Sequence, residues 1–259
     1  MSRVAFTIFN INIYWYSICI LLGVVFAYLL IINESKKHGL EKEKVLDIIF
    51  YTLIVGIIGA RIYYVLFNLD YYLKSPVEIL KVYNGGLAIH GGIIFGIIFL
   101  YNYTKKRKVN FLKFLDICAP AVIIAQAIGR WGNFFNREAY GSITTLENLQ
   151  KLHVPNFIIE GMKINGNYYY PTFLFESILC ILGFIIIMII RNKKNIKEGI
   201  QIGVYFIWYG IIRFFIEILR EDSLMLFNMK VAQIISIILV IIGLVLIIKS
   251  KSRETYYKE

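Results

Sequence analysis

Along the chain, apolar residues run for about twenty positions at a time and are broken by short, polar, mostly basic segments. About 20 apolar residues are what an α-helix needs to cross the hydrocarbon core of a bilayer. Seven such runs occur, over 14–32, 45–67, 86–103, 111–128, 172–190, 200–219 and 229–248. The pattern predicts an all-α integral membrane protein: one polytopic domain over 1–259 with seven transmembrane helices. Orientation follows from the segments between them. Lys36, Lys37, Lys42 and Lys44 follow the first span; Lys105, Lys106, Arg107, Lys108 and Lys113 the third; Arg191, Lys193, Lys194 and Lys197 the fifth; Lys249, Lys251, Arg253 and Lys258 the last. Segments rich in Lys and Arg stay in the cytoplasm. Apart from Arg130 and Arg220 at the span ends, the intervening ones carry only Lys74 and Lys81, then Arg137, Lys151 and Lys163, then Lys230. The N-terminus is therefore expected outside and the C-terminus inside. The stretch 131–171 becomes a small extracytoplasmic head between spans 4 and 5, with Tyr168, Tyr169 and Tyr170 suited to the interface. Residues 1–12 lack a Lys/Arg-led apolar region with a small-residue cleavage site, so no removed signal peptide is expected.

Composition agrees. Hydrophobic residues are 58% of 259 and charged residues 17%, too apolar for a soluble domain, so most of the chain is solvated by lipid. The net charge of +11 first points to nucleic acid, but the basic residues are scattered through short loops rather than gathered on one folded face. No nucleic-acid partner is expected, and the excess is a topology signal. Cys19, Cys118 and Cys180 lie inside apolar runs with no CxxC spacing, and read as packing residues. His38, His90 and His153 fall on different loops or spans, so no metal site is expected.

With that orientation, the polar residues inside the spans fall at one depth. Tyr16, His90 and Gln233 lie near the outer ends of spans 1, 3 and 7, and Arg61 in the outer third of span 2. Arg130 follows the outer end of span 4 and Glu176 opens span 5. In span 6, Tyr209, Arg213 and Glu217 repeat at i, i+4 and i+8, with Arg220 three further on, which sets them on one helical face. At 1.5 Å per residue, Arg213 is roughly 10 Å below the outer surface. A membrane-embedded site open to the outer leaflet is expected. An Arg at a helix centre costs about 2.5 to 3.5 kcal/mol on insertion scales, so Arg213 needs an anion, either Glu217 or a lipid phosphate. Two arginines with one carboxylate leave surplus positive charge, which favours phosphate; a purely structural ion-pair ladder is the alternative. For Arg61, snorkelling and a site role both stand open. Asp116, in the cytoplasmic half of span 4, reads as structural.

Gly129-Arg130-Trp131-Gly132-Asn133-Phe134-Phe135-Asn136-Arg137-Glu138-Ala139-Tyr140-Gly141 is expected to leave the membrane as a loop. Its glycines permit close backbone approach and positive-φ turns, Arg130 offers a bidentate fork, and Asn133 and Asn136 offer amide donors. The string resembles the pattern of the bacterial prolipoprotein diacylglyceryl transferase family, Gly-Arg-x-Gly-Asn-Phe-x-Asn-x-Glu-x-x-Gly. Gly129, Arg130, Gly132, Asn133, Phe134, Asn136, Glu138 and Gly141 all match it. Tyr14-Trp15-Tyr16 is similar to the family's Trp-Tyr pair. The stretch from Gly85 to Gly92, with Ala88, Ile89 and His90, is similar to its His-Gly-Gly segment. Tyr209 and Gly210 with Arg213, Glu217 and Arg220 resemble its sixth-span stripe, and Pro171, Glu176 and Gln233 sit at comparable places. Asn84 departs from the acidic residue that many members carry before the two glycines, and 142–170 matches no named motif.

The resemblance implies transfer of a diacylglyceryl group from phosphatidylglycerol to the lipobox cysteine of a preprolipoprotein signal peptide. It implies the bacterial cell membrane as location and no cofactor. In that chemistry Arg130 and Arg213 would hold the phosphate and neutralise its developing charge. Asn133 and Asn136 would orient the glycerol, with Gly141, Tyr209, Glu217 and Arg220 completing the lipid site. The thiol proton needs an acceptor, and an imidazole titrates near neutral pH, which nominates His90. A His90 that only hydrogen-bonds a neighbouring loop is the other reading, with Tyr16 or Glu138 then assisting deprotonation. Glu138 could equally pair with Arg130 or Arg137. A transporter is the alternative class, expected to show polar groups at several depths or broken spans about the midplane; the inner halves of these spans are almost wholly apolar.

Overall fold

The computed structural model describes residues 3–9, 11–82, 85–193, 195–221, 223–226 and 228–256. Asn84, and the loop charges Lys194 and Lys258, lie outside the described residues. In chain order, the hairpin β1 (Val4–Ile8) and β2 (Ile11–Tyr14) precedes α1 (Trp15–Lys37), α2 (Lys42–Leu66), α3 (Leu69–Lys74) and α4 (Ile89–Lys106). α5 (Phe111–Asn136) leads into a lobe made of β3 (Ile143–Thr144), α6 (Leu146–Lys151), α7 (Asn156–Gly161), β4 (Lys163–Ile164) and β5 (Asn167–Tyr169). α8 (Thr172–Arg191), α9 (Ile200–Ile218), the hairpin β6 (Met225–Leu226) and β7 (Met229–Lys230), and α10 (Val231–Ile248) follow. Two compact units result, Met1–Asn33 with Leu115–Glu259, and Glu34–Phe114.

Six helices among the described residues are long and apolar enough to cross a membrane: α1, α2, α5, α8, α9 and α10 with the turn that extends it. The span expected over 86–103 is the exception. Gly85 and Gly86 take φ of +89° and +74°, so α4 starts only at Ile89, and its eighteen residues take in His90, Asn102, Lys105 and Lys106. It nevertheless exposes Ile93, Ile94, Ile97 and Ile98 along its length.

In the first unit, α5 runs eight residues beyond the expected end of the fourth span. Gly129 and Gly132 are helical, not turns, which corrects the expectation of a loop. What Gly132 provides is space: a Cβ there would stand 2.7 Å from Tyr16 Cδ2 and 3.3 Å from Tyr16 Cα. α9 and α10 approach in the same way. A Cβ at Gly203 would lie 3.1 Å from the Gly243 carbonyl, and one at Gly210 would lie 2.8 Å from that of Ser236. Small residues permit such backbone contact, from which dispersion and packing gain most inside lipid. The lobe has its own apolar centre, where Phe134, Leu149, Ile158, Ile159, Met162 and Phe173 are buried together. Phe134 and Phe173 stack at 4.7 Å, and Tyr168 and Tyr170 pack half-buried on that centre. β3, β5 and β4 form an antiparallel sheet over it. Asp116 is structural, as expected: its carboxylate accepts from the Gly199 N–H at 2.6 Å and the Ile202 N–H at 2.8 Å, and so caps α9 from α5.

In the second unit, glycines again set the seam. Gly92 of α4 lies against the Gly56 carbonyl of α2, 3.2 Å from where its Cβ would be, and Gly91 lies against Tyr63 and the Gly59 carbonyl.

Candidate functional site

Three helices of the first unit bring four charged side chains into one line. Glu176, in the second turn of α8, is 2% exposed. Its Oε1 is 2.7 Å from Arg130 Nη2 on α5, and its Oε2 accepts from Arg213 Nη1 on α9 at 3.3 Å. Arg213 Nη2 lies 2.6 Å from Glu217 Oε2 one turn further along α9. The result is an alternating chain, Arg130, Glu176, Arg213, Glu217. The Tyr209 hydroxyl accepts from Arg130 Nη2 and donates to Glu176 Oε1, both at 3.4 Å. Beside it, Trp131 Nε1 donates to Ser177 Oγ at 3.2 Å and Ser177 Oγ donates to the Ala127 carbonyl at 2.9 Å, which fixes α8 on α5. Within this chain two guanidiniums meet two carboxylates, with Glu176 of α8 added to the Arg213, Glu217 and Arg220 that set the charge expected on the α9 face. In the sequence Glu176 stands out by its depth and by its place comparable to a family position, but not as the link between two arginines. The signal that could have singled it out is that it is the one carboxylate inside an otherwise apolar span. The arginine side chains keep 22% and 16% exposure, so their outer edges remain open to a ligand.

The end of α5 builds a second constellation. Glu138 Oε1 accepts from Asn133 Nδ2 at 2.9 Å and Asn136 Nδ2 at 3.4 Å. Both amides expected to orient a glycerol thus orient a carboxylate, and it is these asparagines, rather than Arg130 or Arg137, that hold Glu138. Arg137 and Ala139 adopt φ of +52° and +55°, reversing the chain, and Thr172 Oγ1 holds the Ala139 carbonyl at 2.6 Å. Glu138, Asn136 and Arg137 line a cavity of about 380 Å³ together with Tyr16, Ser17, Tyr14 and Arg3. Gly141 lies in a backbone bridge with Arg220, where a Cβ would come within 2.8 Å of Tyr170 Cβ. Gln233 donates to the Phe214 carbonyl at 3.5 Å, a link between α10 and α9. Cys19 and Cys180 are buried and free, and Cys180 belongs to the apolar cluster with Ile123 and Ile187.

The second unit holds Arg61 and His90. Arg61 Nε donates to the Ile79 carbonyl at 2.9 Å, Nη1 to those of Gly85 and Gly86 at 2.8 Å, and Nη2 to that of Glu78 at 2.5 Å. Its guanidinium also stands 5.2 Å from the Tyr72 ring centre. With its N–H groups spent on four carbonyls, Arg61 is a tie for the segment before α4, and neither snorkels nor presents a free fork. Gly86 touches Arg61 so closely that any Cβ would collide with Nη1. Lys81 donates to Glu78 at 2.5 Å, and that hydrogen bond and the carboxylate's charge raise its pKa. His90 opens α4, half-buried, its ring 6.4 Å from that of Tyr63.

Sequence comparison places the chain among known proteins. The family model for prolipoprotein diacylglyceryl transferase matches residues 3–249. A phosphatidylglycerol–prolipoprotein diacylglyceryl transferase of Enterococcus faecalis is 46% identical over 250 residues, covering 96% of this chain and 90% of that protein. One of Staphylococcus aureus is 49% identical over 249 residues, covering 96% and 88%, and one of Staphylococcus haemolyticus is 47% identical over 258 residues, covering 98% and 91%. A match that spans almost the whole chain and takes in α5, α8 and α9 leaves one conclusion: the chain belongs to the prolipoprotein diacylglyceryl transferase family.

Proposed function

We propose that the protein transfers the diacylglyceryl group of phosphatidylglycerol to the thiol of the lipobox cysteine in a preprolipoprotein signal peptide. The sulfur forms a bond to the glycerol carbon, the bond from that carbon to the phosphate oxygen breaks, and glycerol phosphate leaves. Membership of a transferase family sets aside the transporter alternative. The observation that carries the residue-level reading is the buried chain of Arg130, Glu176, Arg213 and Glu217. Displacement at an unactivated carbon needs a stabilised leaving group, and the two guanidiniums are donors of the kind that neutralise a phosphate as its charge grows. In a dry site such an effect is commonly worth a few kcal/mol. Glu176, paired with both, holds them in place before the lipid arrives. Tyr209, Glu217 and Arg220 complete the lipid site in this reading, and Asn133 and Asn136 act through Glu138. His90 takes the thiol proton, with Tyr16 and Glu138 as the other acceptors to test.

The reading includes seven spans, with α4 as the third, the N-terminus outside, the C-terminus inside, and the site open to the outer leaflet. A lone cysteine at Gln150→Cys in the lobe should then react with a membrane-impermeant thiol reagent on intact cells, and one at Lys251→Cys should not. For the reaction, the protein is reconstituted with phosphatidylglycerol and a lipobox peptide, and the peptide is weighed. A diacylglyceryl adduct that disappears with Arg130→Ala supports the assignment; no adduct from the unaltered protein sinks the reaction, and full activity of Arg130→Ala sinks the site. Activity of His90→Ala retained across neutral pH removes His90 as base.

A further inference from the structure

We propose that Arg3 and Arg137 form a second anion subsite, one that takes a phosphate ester of glycerol, either the head group of the lipid donor or the glycerol phosphate released from it. The inference rests on the transferase reading and adds to it a place for the phosphate outside the Arg130–Glu176–Arg213 chain.

Three observations carry it. The first is the cavity at the end of α5, about 380 Å³ and walled by the N-terminal hairpin, the first turn of α1 and the reversal after Asn136. That volume falls in the range of about 300–1,000 Å³ usual for small-molecule sites. The second is its charge. Arg3 and Arg137 both line it, against a single carboxylate, Glu138, whose Oε1 already accepts from Asn133 and Asn136. Here, unlike in the deeper chain, cations outnumber anions. The third is the state of the donors. Arg137 Nε is shielded from solvent and has no hydrogen-bond acceptor among the described residues. Arg3, whose carbonyl accepts from the Trp15 N–H at 3.1 Å, also lines the cavity. A shielded charged donor without an acceptor costs about 1–3 kcal/mol or more, so the Arg137 side chain gains from any shift that turns its fork toward an anion in the cavity it lines. The hydroxyls of Tyr14, Tyr16 and Ser17 add neutral donors to the same wall.

A phosphate ester suits these groups better than a carboxylate, because it offers more acceptor oxygens to two forks and three hydroxyls. It is also the anion that the reaction both consumes and releases. In the deeper chain each guanidinium is already matched by a carboxylate, so a phosphate arriving or leaving gains from a nearby cationic site that gives up no ion pair to receive it.

The test uses the full chain in detergent micelles, titrated calorimetrically with glycerol phosphate and, as the uncharged control, glycerol. Arg137→Ala and Arg3→Gln should each weaken glycerol phosphate binding about tenfold, the loss of one charge-assisted contact. Arg137→Lys should weaken it less, and glycerol should bind alike throughout. Kinetics with phosphatidylglycerol vesicles separate the two sources. A KM for the lipid that rises by more than kcat falls assigns the subsite to the incoming head group. Weaker glycerol phosphate binding with an unaltered KM assigns it to the leaving product. Unaltered glycerol phosphate affinity and unaltered KM in both variants would overturn the proposal. Arg3 lies on a different element from Arg137, so a misfolded Arg137→Ala, seen in its melting curve, still leaves Arg3→Gln to decide. Because binding is read without turnover, an unaltered protein that forms no adduct but binds glycerol phosphate through Arg137 refutes the reaction and leaves the subsite standing.

Discussion

At the scale of single residues, the site turns on Glu176. It is buried at 2% exposure between two arginines from two other helices. Removing one member of such a group leaves its partners charged and unpaired, which typically costs about 3–5 kcal/mol, whereas the intact pair contributes much less to stability. Glu176→Gln keeps the shape but removes the charge that holds Arg130 and Arg213 in register. It should lower kcat/KM by about a hundredfold in the adduct assay, with Glu176→Asp in between. A Glu176→Gln protein with full activity would show that the arginines need no such brace. Arg213 and Glu217 were legible in the sequence because a charge inside an apolar run is costly and so informative, and Arg130 because it stands in the Gly-Arg-x-Gly-Asn string. Their linkage through Glu176 was not legible, because it joins residues 37 and 46 positions apart through the packing of three helices. The partners of Glu138 were hidden for the opposite reason. Asn133, Asn136 and Glu138 are close in sequence, but which of them faces which depends on the helix running to Asn136 and on the positive φ at Arg137 and Ala139.

At the scale of elements, hydropathy finds where a chain crosses lipid, but a helix ends where its backbone stops bonding, and at α5 the two differ. The apolar run stops at Ile128, yet Trp131, Phe134 and Phe135 continue a helical face onto the lobe, and no proline interrupts them. Of the two roles its glycines offered, close approach and a positive-φ turn, Gly132 serves the first, at the contact between α5 and α1. Gly132→Ala therefore puts a methyl 2.7 Å from the Tyr16 ring and 3.3 Å from its Cα, the second of which belongs to the backbone of α1 and yields little. Overpacking of this kind costs about 1–3 kcal/mol. The expected outcome is a lower melting temperature in detergent together with a loss of transfer at temperatures where the protein is still folded, since Tyr16 lines the cavity with Glu138. A melting temperature and transfer rate both unchanged would mean that α1 can shift freely. The third span errs in the other direction. Gly85 and Gly86 take positive φ and turn both carbonyls to Arg61, so α4 starts later than the apolar run does, and hydropathy carries no trace of that contact.

At the scale of the whole molecule, the first unit carries buried polar groups at both ends of the same helices, with apolar packing between. Along α5, Asp116 and Arg130 are about 20 Å apart at 1.5 Å per residue. The Asp116 end is closed by the chain's last described residues, which lie beyond any hydropathy signal. Arg191, 2% exposed, donates to Gln201 Oε1 at 2.6 Å and to the Asp116 carbonyl at 2.9 Å, and its guanidinium stands 5.9 Å from the ring centre of Tyr256. Tyr256 is fully buried, and its N–H donates to the Ile196 carbonyl at 2.7 Å. The Glu198 N–H donates to the Glu254 carbonyl at 3.0 Å, and Arg253 Nη1 to the Glu198 carbonyl at 3.2 Å. Four residues thus satisfy the backbone that joins α8 to α9 and cover a buried arginine. A chain stopped after Ser252 loses those hydrogen bonds, at about 0.5–1.5 kcal/mol each, and the aromatic cover of Arg191. A drop of several degrees in melting temperature is expected, with Tyr256→Ala giving part of it. The Arg130 site is at the far end of the helices, so adduct formation per folded molecule should hold at low temperature and fail only as the shortened chain unfolds. If adduct formation is lost at temperatures where the shortened protein is still folded, the tail acts on the site itself, and the two ends of the unit are coupled through α5, α8 and α9.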